Sequence, residues 1–317
     1  MIKVFVLGFL ILSLFVGGYL LTIQNKNITN DTHLATSFKL GVVNSCRKTP
    51  SFIHTLSMKQ PAIDTKQQNH QGGLVIRDMS NNRIWQDESW TKSGYLAGFD
   101  RDNKGNMYVA PLPYVSLSLN PPELQNQIYK IDSSTAKMQL YLKMPSEEKP
   151  NNKNPFGTMG LFYDCDTNSL YVSSLAGSLP RKENGVIYQI NLSTNTVVSQ
   201  FNTIDAIGIG VFNTLKGKRL YYGLARKPHV YSILLDENGN FTQSKRFEFS
   251  LTRLQGGDTT VAKKIQFSKK ANKFHMTVKE TEFGFRLLAE NNPEKKKYHF
   301  IYSIIDDKWS YVEYSYE

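Results

Sequence analysis

Apolar and polar residues alternate in short stretches along this chain, with turn residues between them, and the alternation repeats. Phe99–Val109 (FDRDNKGNMYV), Phe162–Val172 (FYDCDTNSLYV) and Phe212–Tyr222 (FNTLKGKRLYY) each place Met or Leu eight residues after Phe, with Tyr next. A fourth copy, Phe267–Met276 (FSKKANKFHM), is one residue shorter and carries His275 in the Tyr place. Each copy reads as an apolar strand, a polar turn and a β-prone strand, the signature of a hairpin. The four Phe positions are 63, 50 and 55 residues apart.

A third strand follows in Ile128–Ile131, Ile187–Ile190 and Val230–Ile233, and a fourth in Met138–Met144, Thr196–Phe201 and Lys245–Ser250. Leu74–Asp78 with Arg83–Trp85 is an earlier, partial copy. Four short strands per repeat predict the blades of an all-β propeller over residues 38–317. The expectation is six blades of four antiparallel strands. The sixth is split between the termini, with Tyr298–Ile304 and Trp309–Tyr316 joined by strands from 38–60, which would hide edge strands. The repeated aromatics Phe99, Phe162, Phe212, Tyr108, Tyr171 and Tyr221 are assigned to packing between blades.

The chain before the repeats differs in kind. Residues 1–21 hold one charge, Lys3, and an apolar run from Val4 to Leu21. That run suits either a membrane anchor or an export signal. Residues 22–37 are polar and read as a linker. Both readings put the propeller outside the cytoplasm: secreted, periplasmic or membrane-anchored. Two cysteines, Cys46 and Cys165, either pair as one disulfide or stay as buried thiols. Sequons stand at Asn27, Asn30, Asn191 and Asn240.

Charge sharpens this picture only slightly. The chain of 317 residues carries 38 Lys and Arg against 27 Asp and Glu, a net charge of +11. Residues 1–60 contribute six basic side chains and one acid. No basic run exceeds Lys295–Lys297, so nucleic acid is not expected as a partner.

The segments GFDRDNKGNMYVA (98–110) and NQIYKIDSSTAK (126–137) resemble blades of the six-bladed calcium-dependent phosphotriesterase superfamily. That group includes the gluconolactonase, strictosidine synthase-like and paraoxonase families; NHL-repeat and yellow-like propellers have similar blades. The resemblance extends over residues 90–310 and is specific for fold, not for function. It implies a divalent metal, calcium, held at one end of the channel by oxygen ligands at the starts of innermost strands. Asn154, Asp205 and Asp258 precede the Phe anchors by 8, 7 and 9 residues and are the candidate ligands, with Asp64 as a fourth. In the superfamily's lactonases such a metal polarises a carbonyl and activates water. No acid occurs between Asp31 and Asp64, where the superfamily places its first-blade Glu. That gap favours a module binding a small molecule or protein at one face of the ring; the alternative is a calcium-dependent lactonase or esterase.

Other chemistry is thin. The histidines lack zinc spacing, and no G-x-S-x-G is present. Gly208 and Gly210 lack the rest of a nucleotide fingerprint, and no organic cofactor is expected. His275 reads as a core position and His229 as a loop residue. The long segment Pro111–Gln127, with Arg181–Asn184 in the equivalent loop of the next repeat, is the candidate ligand face.

Overall fold

Each alternating stretch pairs with its neighbours in sequence, so the chain folds as a succession of antiparallel sheets. The computed structural model describes residues 38–65, 73–112, 120–254, 260–285 and 295–316, all within the compact unit Ser37–Glu317. The apolar run 4–21, the linker 22–37 and Asp258 lie outside the described residues.

A two-residue strand, β1 (Gly41–Val42), comes first. β2 (Pro61–Asp64), β3 (Val75–Asp78) and β4 (Ile84–Trp85) form a three-stranded sheet, blade 1. Blade 2 holds β5 (Leu96–Arg101), β6 (Met107–Pro111), β7 (Gln127–Ile131) and β8 (Met138–Lys143). Blade 3 holds β9 (Thr158–Asp164), β10 (Ser169–Ser174), β11 (Val186–Asn191) and β12 (Thr196–Asn202). Blade 4 holds β13 (Ala206–Thr214), β14 (Gly217–Leu224), β15 (His229–Leu235) and β16 (Phe241–Ser250), with β1 added beside β13. Blade 5 holds β17 (Thr260–Lys270), β18 (Lys273–Glu282), β19 (Lys296–Ser303) and β20 (Lys308–Tyr316). The leading strands β5, β9, β13 and β17 are successive neighbours in space, each followed outward by its own sheet. This is a β-propeller.

The propeller has five blades of three to five strands, which corrects the expectation of six blades of four. Two local facts account for the difference. Tyr298, Phe300 and Tyr302 alternate along β19 so that they extend the apolar face of Met276 and Val278 on β18. The C-terminal strands therefore complete blade 5 rather than contribute half a blade. Residues 38–60, expected as strands of that sixth blade, form only β1 and a short 3₁₀ turn, Ser51–Thr55.

Packing follows the repeat. Successive blades enclose separate apolar clusters: Leu74, Trp90 and Met107 between blades 1 and 2; Tyr108, Tyr163 and Leu170 between 2 and 3; Phe162, Tyr171 and Tyr222 between 3 and 4; Phe212, Tyr221 and Phe267 between 4 and 5. The repeated aromatics line these interfaces. The repeat spacing absorbs different turns: Phe99 pairs with Val109, Phe162 with Tyr171, and Phe212 with Arg219. Near the axis the leading strands approach to backbone contact. A Cβ on Gly160 would meet the Ile207 carbonyl at 2.5 Å, and one on Gly208 the Ala262 carbonyl at 2.8 Å. Gly208 is thus a packing residue.

Strand polarity gives the propeller two unlike ends. The hairpin turns 102–106, 165–168, 215–216 and 271–272 lie at one, the turn end. At the other, the loop end, lie the links between blades and the connections between second and third strands, among them the described residues 120–126, 175–185, 225–228 and 283–285.

Residues 38–60 run across the turn end as a strap. β1 pairs with β13 (Val42 opposite Phe212), and the Asn44 amide donates to the Phe267 carbonyl at 3.4 Å. Cys46 is disulfide-bonded to Cys165, closing a separation of 119 residues. Arg47 bridges to Asp100 at 2.6 Å and donates to the Tyr163 carbonyl at 2.8 Å. Phe52 N–H then donates to the Ser133 carbonyl at 2.8 Å. Beneath the strap the Lys218 ammonium is fully buried against Asp164 at 2.7 Å and Asp166 at 2.8 Å. Burial raises the Asp164 carboxyl above its ordinary range, and Lys218 draws it back down.

A cross-link over so long a loop limits the unfolded chain, so Cys46→Ser should cost about 3 kcal/mol, read as a lower urea midpoint without reductant. Lys218→Met leaves Asp164 buried without a counter-charge and should cost roughly 3–5 kcal/mol. A midpoint unchanged in either variant would show that the strap or its buried cation does not bear on stability.

Candidate functional site

The link between blades 3 and 4 turns into β13 through Ile204 and Asp205 and leaves the Asp205 side chain inaccessible to solvent. A buried carboxylate needs its lone pairs filled. Here Oδ1 accepts from the Ser178 hydroxyl and from Gly185 N–H at 2.9 Å, and Oδ2 accepts from Arg226 Nε at 2.6 Å. Burial pushes the Asp205 carboxyl up, while Ser178 and Arg226 pull it back.

Arg226 stands in the short loop between β14 and β15. Beyond Asp205, its guanidinium donates to the carbonyls of Pro180 (2.8 Å), Leu179 (2.7 Å) and Lys182 (2.7 Å). Its other contact is the ring of Phe285, 4.7 Å from the guanidinium carbon. One side chain therefore ties loop 178–185 of blade 3 to blades 4 and 5. Loop 178–185 is held from a second side as well. The Asn154 amide donates to the carbonyls of Leu175 (2.8 Å) and Ser178 (2.7 Å), and its oxygen accepts from Phe156 N–H at 3.0 Å. The Glu183 carboxylate accepts from Asp205 N–H at 2.9 Å. An exposed Lys182–Glu148 pair at 2.9 Å adds little to this hold.

Beside the clamp lies an apolar cluster. Phe156, Leu175, Ile207, Ala225 and Val261 are buried together, with Leu112, Met159 and Phe283 half-buried against them. Phe283 sits 5.1 Å from the Phe156 ring and 5.4 Å from that of Phe285.

The structure brings two of the four candidate ligands together. Asn154 binds the Ser178 carbonyl and Asp205 the Ser178 hydroxyl, so both meet one serine at the loop end. Their oxygens are spent on the protein itself, and an ion binding Asp205 would have to displace Arg226. Asp64 lies on β2 of blade 1, where it pairs with Arg77 at 2.8 Å. Among the described residues no three His, Cys, Asp or Glu side chains converge as a metal group, and Asp258 lies outside them. Of the expected ligand face, residues 113–119 of the long loop also lie outside, whereas Arg181–Asn184 belongs to the clamped loop. His229 opens β15 half-buried, with Ser250 Oγ 3.0 Å from its Nδ1. His275 is half-buried on β18.

Ser178 and Arg226 are the residues that reading the chain alone did not connect to this site. A buried Asp at the start of a leading strand calls for a cation, and Arg226, in the loop between β14 and β15, supplies it. No protein-family model matches the chain, and no curated protein matches it. Among solved structures it is similar to the Dos1 propeller, with 13% identity over 78% of this chain and 56% of that one and a TM-score of 0.38. It is similar to the exo-β-1,3-galactanase of Phanerochaete chrysosporium, with 10% identity over 82% and 54% and a TM-score of 0.44. A DUF4221 family member from Bacteroides vulgatus gives 12% identity over 81% of each chain and a TM-score of 0.39. The chain spans about half the length of the first two. These likenesses assign no activity; the class that the sheets themselves define is a five-bladed propeller with a clamped loop end.

Arg226→Met strips the counter-charge from a buried carboxylate and should cost roughly 3 kcal/mol at neutral pH. The folded-state pKa of Asp205, already raised, then rises further. Protonation favours the folded variant, so the deficit should grow as pH rises from about 5 to 8. Urea midpoints across that range test this; a deficit independent of pH would mean Asp205 is not the group left uncompensated.

Proposed function

We propose that this chain is an exported propeller that binds a small molecule or protein partner at its loop end. The observation that carries the reading is the clamp itself. Arg226, Asp205 and Asn154 hold loop 178–185 rigid beside an apolar cluster whose half-buried members are Leu112, Met159 and Phe283. A preorganised apolar surface framed by fixed polar groups binds at low ordering cost. The strap runs across the turn end, whereas the loop end carries the clamp and its apolar cluster. The Cys46–Cys165 disulfide supports an extracytoplasmic address, since such cross-links persist in oxidising compartments. The apolar residues 4–21 support it too.

A calcium-dependent lactonase or esterase, resembling the gluconolactonases of the phosphotriesterase superfamily, is the second reading. It is supported by the meeting of Asn154 and Asp205 at one serine. Its weakness is that their oxygens are already engaged.

Thermal unfolding of the full chain against lactones, aryl esters, oligosaccharides and peptides, each with calcium or a chelator, separates the two readings. Binding predicts a ligand that raises the unfolding temperature equally in both arms and loses its effect in Phe283→Ala. A calcium-dependent turnover of lactone or ester would overturn that reading in favour of the second.

A further inference from the structure

The turn end of blades 4 and 5 carries an arrangement that neither the core nor the loop end uses. Ile305 is 95% exposed, Leu215 54% and Ile304 48%. Leu215 tips the β13–β14 hairpin, and Ile304 and Ile305 tip the β19–β20 hairpin. The two tips are adjacent: the Tyr302 hydroxyl accepts from Leu215 N–H at 3.0 Å. Soluble surfaces scatter single apolar residues, but three at neighbouring turn tips, two of them about half exposed and one almost fully, form a projecting apolar point.

Lysines stand at the same end. Lys216, Lys269, Lys270, Lys273 and Lys308 are all exposed on turns or strand ends of the same two blades at this end. The exposed acids on these turns are Asp306, whose carboxylate accepts from the Ser303 hydroxyl at 2.7 Å, and Glu237. Basic charge therefore outweighs acidic charge around the tips. Residue 38 is the third element. The described chain begins at this same end, where Lys218 lies 4.2 Å from the Phe38 ring centroid and the Asn213 amide donates to the Lys39 carbonyl. Upstream in sequence come a polar stretch, 22–37, and the apolar run 4–21.

We propose that the turn end of blades 4 and 5 rests on an anionic lipid bilayer. Ile304, Ile305 and Leu215 enter the boundary between headgroups and acyl chains, and the lysines meet the headgroups. Apolar tips on an end that also carries Lys are what such an interface accepts, because short side chains bury in the boundary while cations stay in the charged layer. This orientation turns the loop end to the aqueous side. It does not depend on which ligand the loop end binds.

Depth-dependent fluorescence quenching of the full chain tests the proposal. The native cysteines are paired, so Ile305→Cys and Lys149→Cys each offer one free thiol for a bimane label, at the turn end and the loop end respectively. Labelled protein is mixed with vesicles carrying a nitroxide lipid. One set is phosphatidylcholine alone and the other contains phosphatidylglycerol as well. The expected result is strong quenching at residue 305 in the anionic vesicles and little at residue 149. Each Lys→Glu reversal among Lys216, Lys269, Lys270 and Lys308 should lower the docked fraction about fivefold or more. Leu215→Ser with Ile304→Ser should abolish quenching while the circular dichroism melt stays unchanged, as befits exposed positions. Equal quenching at both labels, none at residue 305, or quenching indifferent to lipid charge would overturn the proposal. So would a change at residue 305 that follows protein concentration without lipid, which marks pairing of two copies instead.

Discussion

The Lys218 ammonium, buried between Asp164 and Asp166, is the constraint on which the turn end depends. A desolvated cation has to be paired, and the pairing pulls the β9–β10 turn of blade 3 against β14 of blade 4. Cys165 lies between the two aspartates in that turn, and its cross-link to Cys46 fixes the strap over them. Asn213 joins the same group by donating to Asp166 at 2.8 Å and to the Lys39 carbonyl at 2.9 Å. Two carboxylates, one ammonium and one amide thus set where the first described residues go. The path of the strap in turn delivers the chain to blade 1.

The loop end solves a similar problem with the charges exchanged. There the buried group is a carboxylate, Asp205, and the cation that meets it, Arg226, is partly open to solvent. A lysine makes a compact point charge suited to a sealed site between two acids. An arginine can hold a carboxylate and three carbonyls at once because its donors are spread in a plane. The turn end is therefore locked as a point, and the loop end is spread as a frame beside apolar residues.

The strands were legible because each carries its own information: alternation, a turn and a repeated Phe and Tyr. The count of blades was not, because it depends on which edge a strand pairs with. Tyr298–Ile304 reads equally well as the start of a blade or as its third strand, and only the shared apolar face with Met276 and Val278 decides. Residues 38–60 misled for the opposite reason. A strap held by one disulfide, one ion pair and single hydrogen bonds leaves no periodic trace. At the loop end, Asn154 and Asp205 stood out by their place before leading strands. What they bind was hidden, since Ser178 lies 27 residues and Arg226 21 residues from Asp205 in sequence, and they meet it only through the fold.

The position of the Cys46–Cys165 cross-link has a mechanical consequence. Tension drawn through the chain from its N-terminal side first meets the hydrogen bonds of β1 and the contact of Phe38 with Lys218. After residue 46 the load passes through a covalent bond into the β9–β10 turn of blade 3, the third of the five in sequence. Everything from Arg47 to Asp164, β9 of blade 3 included, is shunted out of the load path. A pull from that side can lengthen the protein only by the residues ahead of Cys46 until a sheet beyond Cys165, in blades 3 to 5, gives way.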